Sequence, residues 1–276
     1  MTDDAKTTYD GIQSLLDIMR RLRDPDSGCP WDLKQNFHTI VPFTIEETYE
    51  LADAIAAEDF AQIRDELGDV LFQVVFYAQI ASEQALFTFE DVVDGTAEKL
   101  RRRHPHVFAA TGGQSLSAGE VKERWEQIKG EERQQKNHKG TLDDIPKALP
   151  ALSRSQKLQK RAARVGFDWS ELDAVRGKVD EELGELAEAI SEGESTAIES
   201  EVGDIFLAMV NLARHLGVDA EAALRHANRR FEKRFRLMET AADREGSQLS
   251  EESLERLEER WQAAKRELAA AGSATD

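Results

Sequence analysis

Cysteine is almost missing from this chain, since Cys29 is the single one among 276 residues. One thiol excludes an internal disulfide framework and a zinc site built on cysteines, and it fits a reducing, cytoplasmic environment. Proline and glycine are also scarce, at 6 and 17 residues, whereas the strong helix formers alanine, glutamate, leucine and arginine dominate. The composition therefore predicts an all-α fold.

Long apolar runs and an excess of basic residues are missing as well. The most apolar stretch, Val70–Ala81, is interrupted by Gln73 and Gln79 and falls short of the roughly 18 apolar residues that a membrane span needs. The polar and acidic start, MTDDAKTTYD, does not have the pattern of a signal peptide. With 36 basic against 54 acidic residues the net charge is -18, which argues against a nucleic-acid backbone as the main partner. We expect neither a membrane nor a nucleic acid as partner.

Apolar residues recur every three to four positions along most of the chain, and this spacing predicts amphipathic helices. The predicted ranges are Tyr9–Arg23, a helix that begins after Pro42 with Thr44 as N-cap, a long helix that ends at Gln84, Phe89–Arg103, Ser117–Gln135, Ala151–Arg164, Leu172–Ser191, Ser195–Leu216, Ala220–Arg244 and Glu251–Ala270. Glycine, proline and aspartate interrupt the periodicity between 137 and 150. We predict an N-terminal domain over 1–136, a linker over 137–150 and a C-terminal domain over 151–276, each a bundle of about four to five helices.

Five acidic residues occur twice with identical spacing. An offset of 135 residues carries each member of the first set onto the second, from 46 to 181 and from 69 to 204. The two sets are Glu46, Glu47, Glu50, Glu66 and Asp69, and Glu181, Glu182, Glu185, Glu201 and Asp204. Trp125 and Lys129 also return as Trp261 and Lys265, at an offset of 136. Such self-similarity indicates an internal duplication.

Helical spacing places the carboxylates of each set on shared faces, because residues three and four apart are neighbours on a helix. A chain reversal near Gly193 brings the two acidic faces of the second half together. Such a cluster repels itself unless a hard cation binds, and carboxylate oxygens suit Mg²⁺, Ca²⁺ or Mn²⁺. A carboxylate that is not fully committed to a metal can accept a proton from an attacking water. Glu181 and Glu182 are both candidates for that base.

With EExxE followed by ExxD in both halves, the sequence resembles the two-domain MazG family of nucleoside triphosphate pyrophosphohydrolases. The resemblance extends to three further segments: Gly28–Asp32 (GCPWD), Arg102–Phe108 (RRHPHVF) and Val210–Gly217 (VNLARHLG). It implies two tandem MazG-like helical bundles and a Mg²⁺-dependent reaction, with Mn²⁺ as an alternative ion. The implied reaction cleaves nucleoside triphosphates between the α and β phosphates to a monophosphate and pyrophosphate, in nucleotide-pool sanitation.

The resemblance also implies a role for individual residues. The second copy would carry the activity, while the first would contribute to assembly of a homodimer. Residues that match the family's metal ligands are Glu182, Glu185, Glu201 and Asp204, and those that match its substrate-binding positions are Arg230, Arg234, Trp261 and Lys265. The chain departs from the family pattern at Ala197, where members carry lysine, and at Ser200, where members carry an acidic residue.

Other interpretations of the same residues stay open. The carboxylates could form a solvated helix face, but the gap-free repeat and the apolar residues beside them favour a site. These apolar residues, predicted to face a core, are Leu183, Leu186, Ile190, Val202 and Ile205. Arg230 and Arg234 could form surface ion pairs, and Trp261 could be a core aromatic. For the whole chain the alternatives are a hydrolase of another phosphoanhydride, such as a dinucleotide or an alarmone, and a non-catalytic helical interaction module.

Overall fold

The computed structural model describes residues 10–108, parts of 117–132 (117, 119–121, 124–125, 128, 130 and 132) and 140–272. The chain divides into two compact units, Met1–Gly130 and Glu131–Asp276. Every regular element within the described ranges is helical, which confirms the predicted all-α class. None of the helices in these ranges is long and apolar enough to cross a membrane.

The first unit is built around the helix that carries Glu66 and Asp69. Its elements are α1 (Gly11–Leu22), α2 (Pro30–Lys34), α3 (Phe37–Ala57), α4 (Phe60–Glu83), α5 (Phe89–Arg103) and α6 (Pro105–Phe108). Helix α4 packs against α3, α1 and α5. The buried core consists of Met19, Ile40, Val75, Phe76 and Ile80. The predicted helix Ser117–Gln135 lies mostly outside the described residues.

The start of α3 differs from the prediction, which placed it after Pro42. The helix begins at Phe37, because Asn36 caps it: the Asn36 side chain accepts hydrogen bonds from the backbone N–H groups of His38 and Thr39. The Thr39 hydroxyl accepts in return from the Asn36 N–H, 2.8 Å away, which completes a capping box. Ile40 is buried within this first turn. Capping and burial together outweigh the cost of Pro42 inside the helix.

The second unit contains α7 (Ala151–Ala163), α8 (Leu172–Glu192), α9 (Ser195–His215), α10 (Ala220–Glu245), a 3₁₀ turn (Leu249–Glu251) and α11 (Leu254–Gly272). Helix α9 packs against α8 and α7, and α10 packs against α11. The described part of the predicted linker, 140–150, packs on this unit: Ile145 is buried, and Arg161 donates hydrogen bonds to the carbonyl groups of Thr141 and Asp143. The limits of the linker stay a prediction.

The acidic helix pairs of the two units share one register. Helices α3 and α8 both have 21 residues, and α4 and α9 begin at residues 60 and 195, so the 135-residue offset holds for all of these limits. Both reversals also place a residue in the left-handed region at the same position. It is Glu58 with φ 57° in the first unit and Gly193 with φ 76° in the second. The predicted reversal near Gly193 is thus confirmed.

Three of the five apolar residues beside the carboxylates do not face a core as predicted, whereas Leu186 and Ile205 are half-buried. Leu183, Ile190 and Val202 are 49%, 59% and 37% exposed, and Phe206 on the same helix pair is 59% exposed. The helix pair buries a different stripe, which includes Val175, Ala189 and Val210. The prediction was wrong for Leu183, Ile190 and Val202 because α8 and α9 are apolar on two faces, and only one of these packs against the described helices of their own unit. The other face resembles a protein interface.

Candidate active site

Three carboxylates converge in the second unit. Glu182 on α8 and Glu201 and Asp204 on α9 each offer one oxygen, and these oxygens lie within 4.8 Å of one another. The i, i+3 spacing puts Glu201 and Asp204 on one face of α9, and the short connection at Gly193 returns the chain so that Glu182 meets them. Glu182 is buried, and the other two are half-buried. Clustered, partly desolvated carboxylate oxygens match the donor set that hard divalent cations prefer.

Glu185 lies at the edge of this cluster and is exposed. Burial and then the negative charge of Glu182 raise the pKa of Glu185, while the positive charge of Lys178 acts in the opposite direction. Glu201 adds to the rise. The charges of the cluster therefore act on the Glu185 carboxylate, although Glu185 is not one of the three residues whose oxygens converge. The side chain of Glu181 is exposed and lies outside the convergent set.

Lys178 is a cation at this site that the sequence prediction missed. Its Nζ lies 2.7 Å from Glu182 Oε1 and 3.0 Å from Glu181 Oε1. The hydrogen bonds to Glu182 and then to Glu181 raise the pKa of Lys178, which stays protonated. The ammonium group thus compensates part of the charge of the buried Glu182. The signal was present in the sequence, because Lys178 precedes Glu182 by four residues and Glu181 by three.

The first unit repeats the convergence. Oxygens of Glu47, Glu66 and Asp69 lie within 4.8 Å of one another. Burial, followed by the charges of Asp69 and Glu50, raises the pKa of Glu47, and burial together with neighbouring carboxylates also raises that of Glu50. Glu46 contributes to both shifts. This cluster therefore holds negative charges close enough together to disfavour ionisation.

A cavity of about 140 Å³ opens beside the second cluster. Lys178, Glu182 and Asp204 form part of its wall, and Phe167 and Trp169 of the loop before α8 form another part. These two aromatic residues were not predicted to belong to a site. The reason is that the loop has no regular spacing, so only the fold brings it to the carboxylates.

The loop that carries Trp169 is tied to the end of α9. Asp168 Oδ1 accepts hydrogen bonds from Arg214 Nη2 and from His215 Nε2, the latter at 2.9 Å. Burial tends to raise the pKa of Asp168, but the hydrogen bonds from Arg214 and His215 outweigh it and the pKa is lowered. Asp168 therefore remains ionised, and the salt bridge fixes one wall of the cavity.

The predicted substrate-binding residues of α10 and α11 form a separate group. The guanidinium carbon of Arg234 lies 5.4 Å from the ring centroid of Trp261, a cation–π distance, and Phe231 packs against the same ring at 5.3 Å. Arg230 and Lys265 are exposed. None of these residues lines the cavity beside the carboxylates. Their predicted role in substrate binding stays a prediction.

The fold and the site together define an all-helical protein that contains two copies of a carboxylate-bearing helix pair. This chain belongs to the MazG family, since the model of the MazG nucleotide pyrophosphohydrolase domain matches residues 35–108 and 172–236. The two matched segments contain all ten acidic residues of the repeat, together with Arg230 and Arg234.

Several relatives match nearly the whole chain, and two of them show how far the similarity extends. The chain is 54% identical over 258 residues to the nucleoside triphosphate pyrophosphohydrolase of Escherichia coli (strain K12), with 93% of this chain and 97% of the relative covered. It is 44% identical over 254 residues to the nucleoside triphosphate pyrophosphohydrolase/pyrophosphatase MazG of Thermotoga maritima, with 92% and 95% covered. The similarity therefore spans both units.

Proposed function

We propose that this chain hydrolyses nucleoside triphosphates to nucleoside monophosphates and pyrophosphate in a Mg²⁺-dependent reaction at the cluster of the second unit. The observation that carries the proposal is the convergence of Glu182, Glu201 and Asp204 inside a segment matched by the family model. The 54% identity to a nucleoside triphosphate pyrophosphohydrolase supports the same substrate class. We further propose that the activity serves nucleotide-pool sanitation in the cytoplasm.

The carboxylates fit the proposed ion. Glu182, Glu201 and Asp204, with Glu185 at the edge, would hold Mg²⁺ or, as an alternative, Mn²⁺, because their oxygens form a compact donor set. A bound divalent cation neutralises phosphate charge and polarises water for attack on phosphorus. Lys178, on the wall of the adjoining cavity, is placed to attract a phosphate oxygen once the negative charge of Glu182 is shared with the ion.

The general base is proposed to be Glu181 rather than Glu182. Glu182 is buried within the cluster and would be a metal ligand. Glu181 is exposed on the same turn of α8, and its carboxylate is available to accept a proton from water. The hydrogen bond from Lys178 Nζ, 3.0 Å away, holds the Glu181 carboxylate beside the cluster.

We propose a homodimer as the functional assembly. The exposed apolar face of α8 and α9, which includes Leu183, Ile190, Val202 and Phe206, is larger than a few scattered side chains, and such faces mark protein interfaces. Light scattering of the purified chain should give twice the monomer mass of 31.0 kDa. A Phe206→Asp variant should reduce that value to the mass of a monomer.

The reaction is tested by incubating the purified chain with Mg²⁺ and each of the four ribonucleoside triphosphates. Pyrophosphate and nucleoside monophosphate should appear in equal amounts, and chelation of the metal should stop the reaction. Orthophosphate as the sole inorganic product would contradict the proposed bond specificity and favour another phosphoanhydride substrate. Absence of turnover with every triphosphate would favour the non-catalytic interaction module.

A further inference from the structure

The cavity beside the second cluster differs in chemistry from the cluster itself. Glu182 and Asp204 belong to both, so a molecule whose phosphates lie at the carboxylates can extend directly into the cavity. Phe167, Trp169 and Leu207 contribute apolar wall. A volume of about 140 Å³ is close to that of protein cavities of about 150 Å³ that take up benzene. The space therefore suits one flat, six-membered aromatic ring.

For two amide side chains on the wall, the hydrogen bonds within the protein show which end of each amide remains for a ligand. Gln159 Nε2 donates to the carbonyl oxygen of Leu207 at 2.7 Å, so Oε1 is the remaining group, and Oε1 is buried without a hydrogen-bond partner. Asn211 Oδ1 accepts from Arg214 Nε at 2.9 Å. Arginine can only donate, so Asn211 keeps its NH₂ group as the remaining donor. The two amides thus offer one acceptor and one donor to the cavity.

An unpartnered buried acceptor is costly unless a ligand or water satisfies it. The two amides that line the cavity are complementary to a group that presents a donor and an acceptor on one edge. Nucleobases have such an edge, whereas a phosphate group offers only acceptors and would leave the buried Gln159 Oε1 without a donor. The chemistry of the wall therefore selects a nucleobase over a second phosphate.

The first unit supports this assignment by contrast. The register of the repeat places Phe76 at the position of Asn211 and Phe72 at the position of Leu207. Phe76 is buried in the core, where its ring packs edge-on against Phe72 at 5.7 Å. An aromatic side chain of the protein thus occupies the position from which Asn211 faces the cavity in the second unit.

We propose that the cavity formed by Gln159, Phe167, Trp169 and Asn211 binds the base of the nucleotide and that Gln159 and Asn211 recognise its polar edge. This inference rests on the proposed function, because the phosphates of the same nucleotide lie at the carboxylate cluster. In this proposal the second unit discriminates between substrates, and the residues that do so lie outside the acidic motif.

The test compares kcat/KM for a nucleoside triphosphate with that for 2-deoxyribose 5-triphosphate, which has no base. The wild-type chain should prefer the complete nucleotide. Asn211→Phe, which introduces the residue of the first unit, should lower kcat/KM for the nucleotide roughly tenfold or more and leave that for the abasic compound within about twofold. Turnover of the abasic compound also shows that the variant is folded.

Two further variants keep the test valid if Asn211→Phe does not fold. Asn211→Asp retains an acceptor for Arg214 but replaces the donor that faces the cavity, and Gln159→Leu removes the buried acceptor. Both should lower the preference for the complete nucleotide. Lys157→Leu, an exposed position on the same helix as Gln159, is the matched control and should preserve it.

The outcomes separate this inference from the proposed function. If the wild-type chain releases no pyrophosphate from any triphosphate, the proposed function fails, and this inference fails with it. If the wild-type chain is active but treats the nucleotide and the abasic compound alike, only the base pocket is refuted. A strong preference that survives all three cavity variants also refutes it.

Discussion

The first and second units place three carboxylates in the same arrangement but surround them differently. Glu47, Glu66 and Asp69 converge as closely as Glu182, Glu201 and Asp204 do. Lys178, which contacts Glu182 in the second unit, is replaced by Phe43 at the corresponding position of the first. Phe43 packs edge-on against Trp31, with the ring centroids 5.7 Å apart.

This difference shows which parts of a duplicated site are set by helix geometry and which are set by packing. The carboxylates follow from i, i+3 spacing on two helices of equal register, so both copies keep them. The surroundings depend on side chains that meet only in the folded unit. In the first unit these are aromatic and include Phe76 in the core, whereas in the second they include Lys178, Gln159 and Asn211 beside a cavity. We infer that the second unit is the catalytic one.

The largest effect should come from removing one carboxylate of the second cluster. Glu182→Gln or Asp204→Asn should reduce kcat for pyrophosphate release by roughly 10³-fold, because an interaction that stabilises charge in the transition state is lost. The matched first-unit changes, Glu47→Gln and Asp69→Asn, should leave most of the activity. Steady-state kinetics at saturating Mg²⁺ measures both. Equal losses in the two units would show that the first unit is also required for catalysis.

Much of this site was predictable from local spacing. The ten acidic residues, the helices that carry them and the reversal at Gly193 follow from periodicity and from the repeat. Lys178 was predictable in principle, because its spacing to Glu182 is helical. Asp168, Asn211 and Gln159 were not, since they lie on a loop and two different helices and only tertiary packing brings them together. The start of α3 was missed because the prediction took Thr44, after Pro42, as the N-cap and did not consider Asn36, whose side chain caps the helix.

A second difference concerns the arginine that holds the tryptophan loop in each unit. In the first unit, buried Arg23 forms two hydrogen bonds with Glu83, at 2.8 and 2.6 Å, and donates to the carbonyl oxygen of Asp32 in the GCPWD segment. In the second unit, Arg214 forms a salt bridge with Asp168 on the wall of the cavity. The first interaction joins core elements, and the second fixes the wall of a site.

Arg23→Met should therefore lower the free energy of unfolding of the first unit by about 2 kcal/mol. It removes the salt bridge to Glu83, which keeps the hydrogen bond from Gln79, and it removes the donor to the carbonyl groups of Asp32 and Gln35. It should leave kcat nearly unchanged. Arg214→Met should have the opposite profile, a smaller loss of stability and a higher KM for nucleotides. Denaturant unfolding and steady-state kinetics of the two variants provide the comparison. A large fall in kcat for Arg23→Met would contradict the separation of roles.

Lys178 should make the thermal stability of the second unit less dependent on bound metal than the negative charge of the carboxylates alone suggests. Without Mg²⁺, Lys178→Met leaves the buried Glu182 among like charges, so Tm should fall by several degrees more in the absence of the metal than in its presence. Phe43→Lys supplies the corresponding cation to the first unit and should reduce the gain in Tm on adding Mg²⁺. Thermal unfolding with Mg²⁺ and with a chelator measures both. Identical Mg²⁺ effects in Lys178→Met and the wild type would show that Lys178 does not compensate the cluster.

The smallest expected effect concerns the two helix reversals. Glu58 and Gly193 occupy the same position of the repeat, and both have positive φ. A residue with a Cβ atom is strained there by about 1–2 kcal/mol, whereas glycine is not, although glycine loses more backbone entropy on folding, by about 0.5–1 kcal/mol. The difference leaves a net advantage for glycine of about 0.5–1 kcal/mol.

Glu58→Gly should therefore stabilise the first unit, and Gly193→Ala should destabilise the second by a similar amount. A Cβ atom at Gly193 would meet no atom within 4 Å apart from those of its chain neighbours, so the cost arises from the backbone conformation and not from a clash. Urea unfolding of the two variants provides the measurement. If Gly193→Ala also lowered kcat while Glu58→Gly left it unchanged, the reversal would contribute to the positioning of Glu182 against Glu201 and Asp204 in the second unit. Unchanged kcat in both would mean that packing along α8 and α9 alone maintains the cluster.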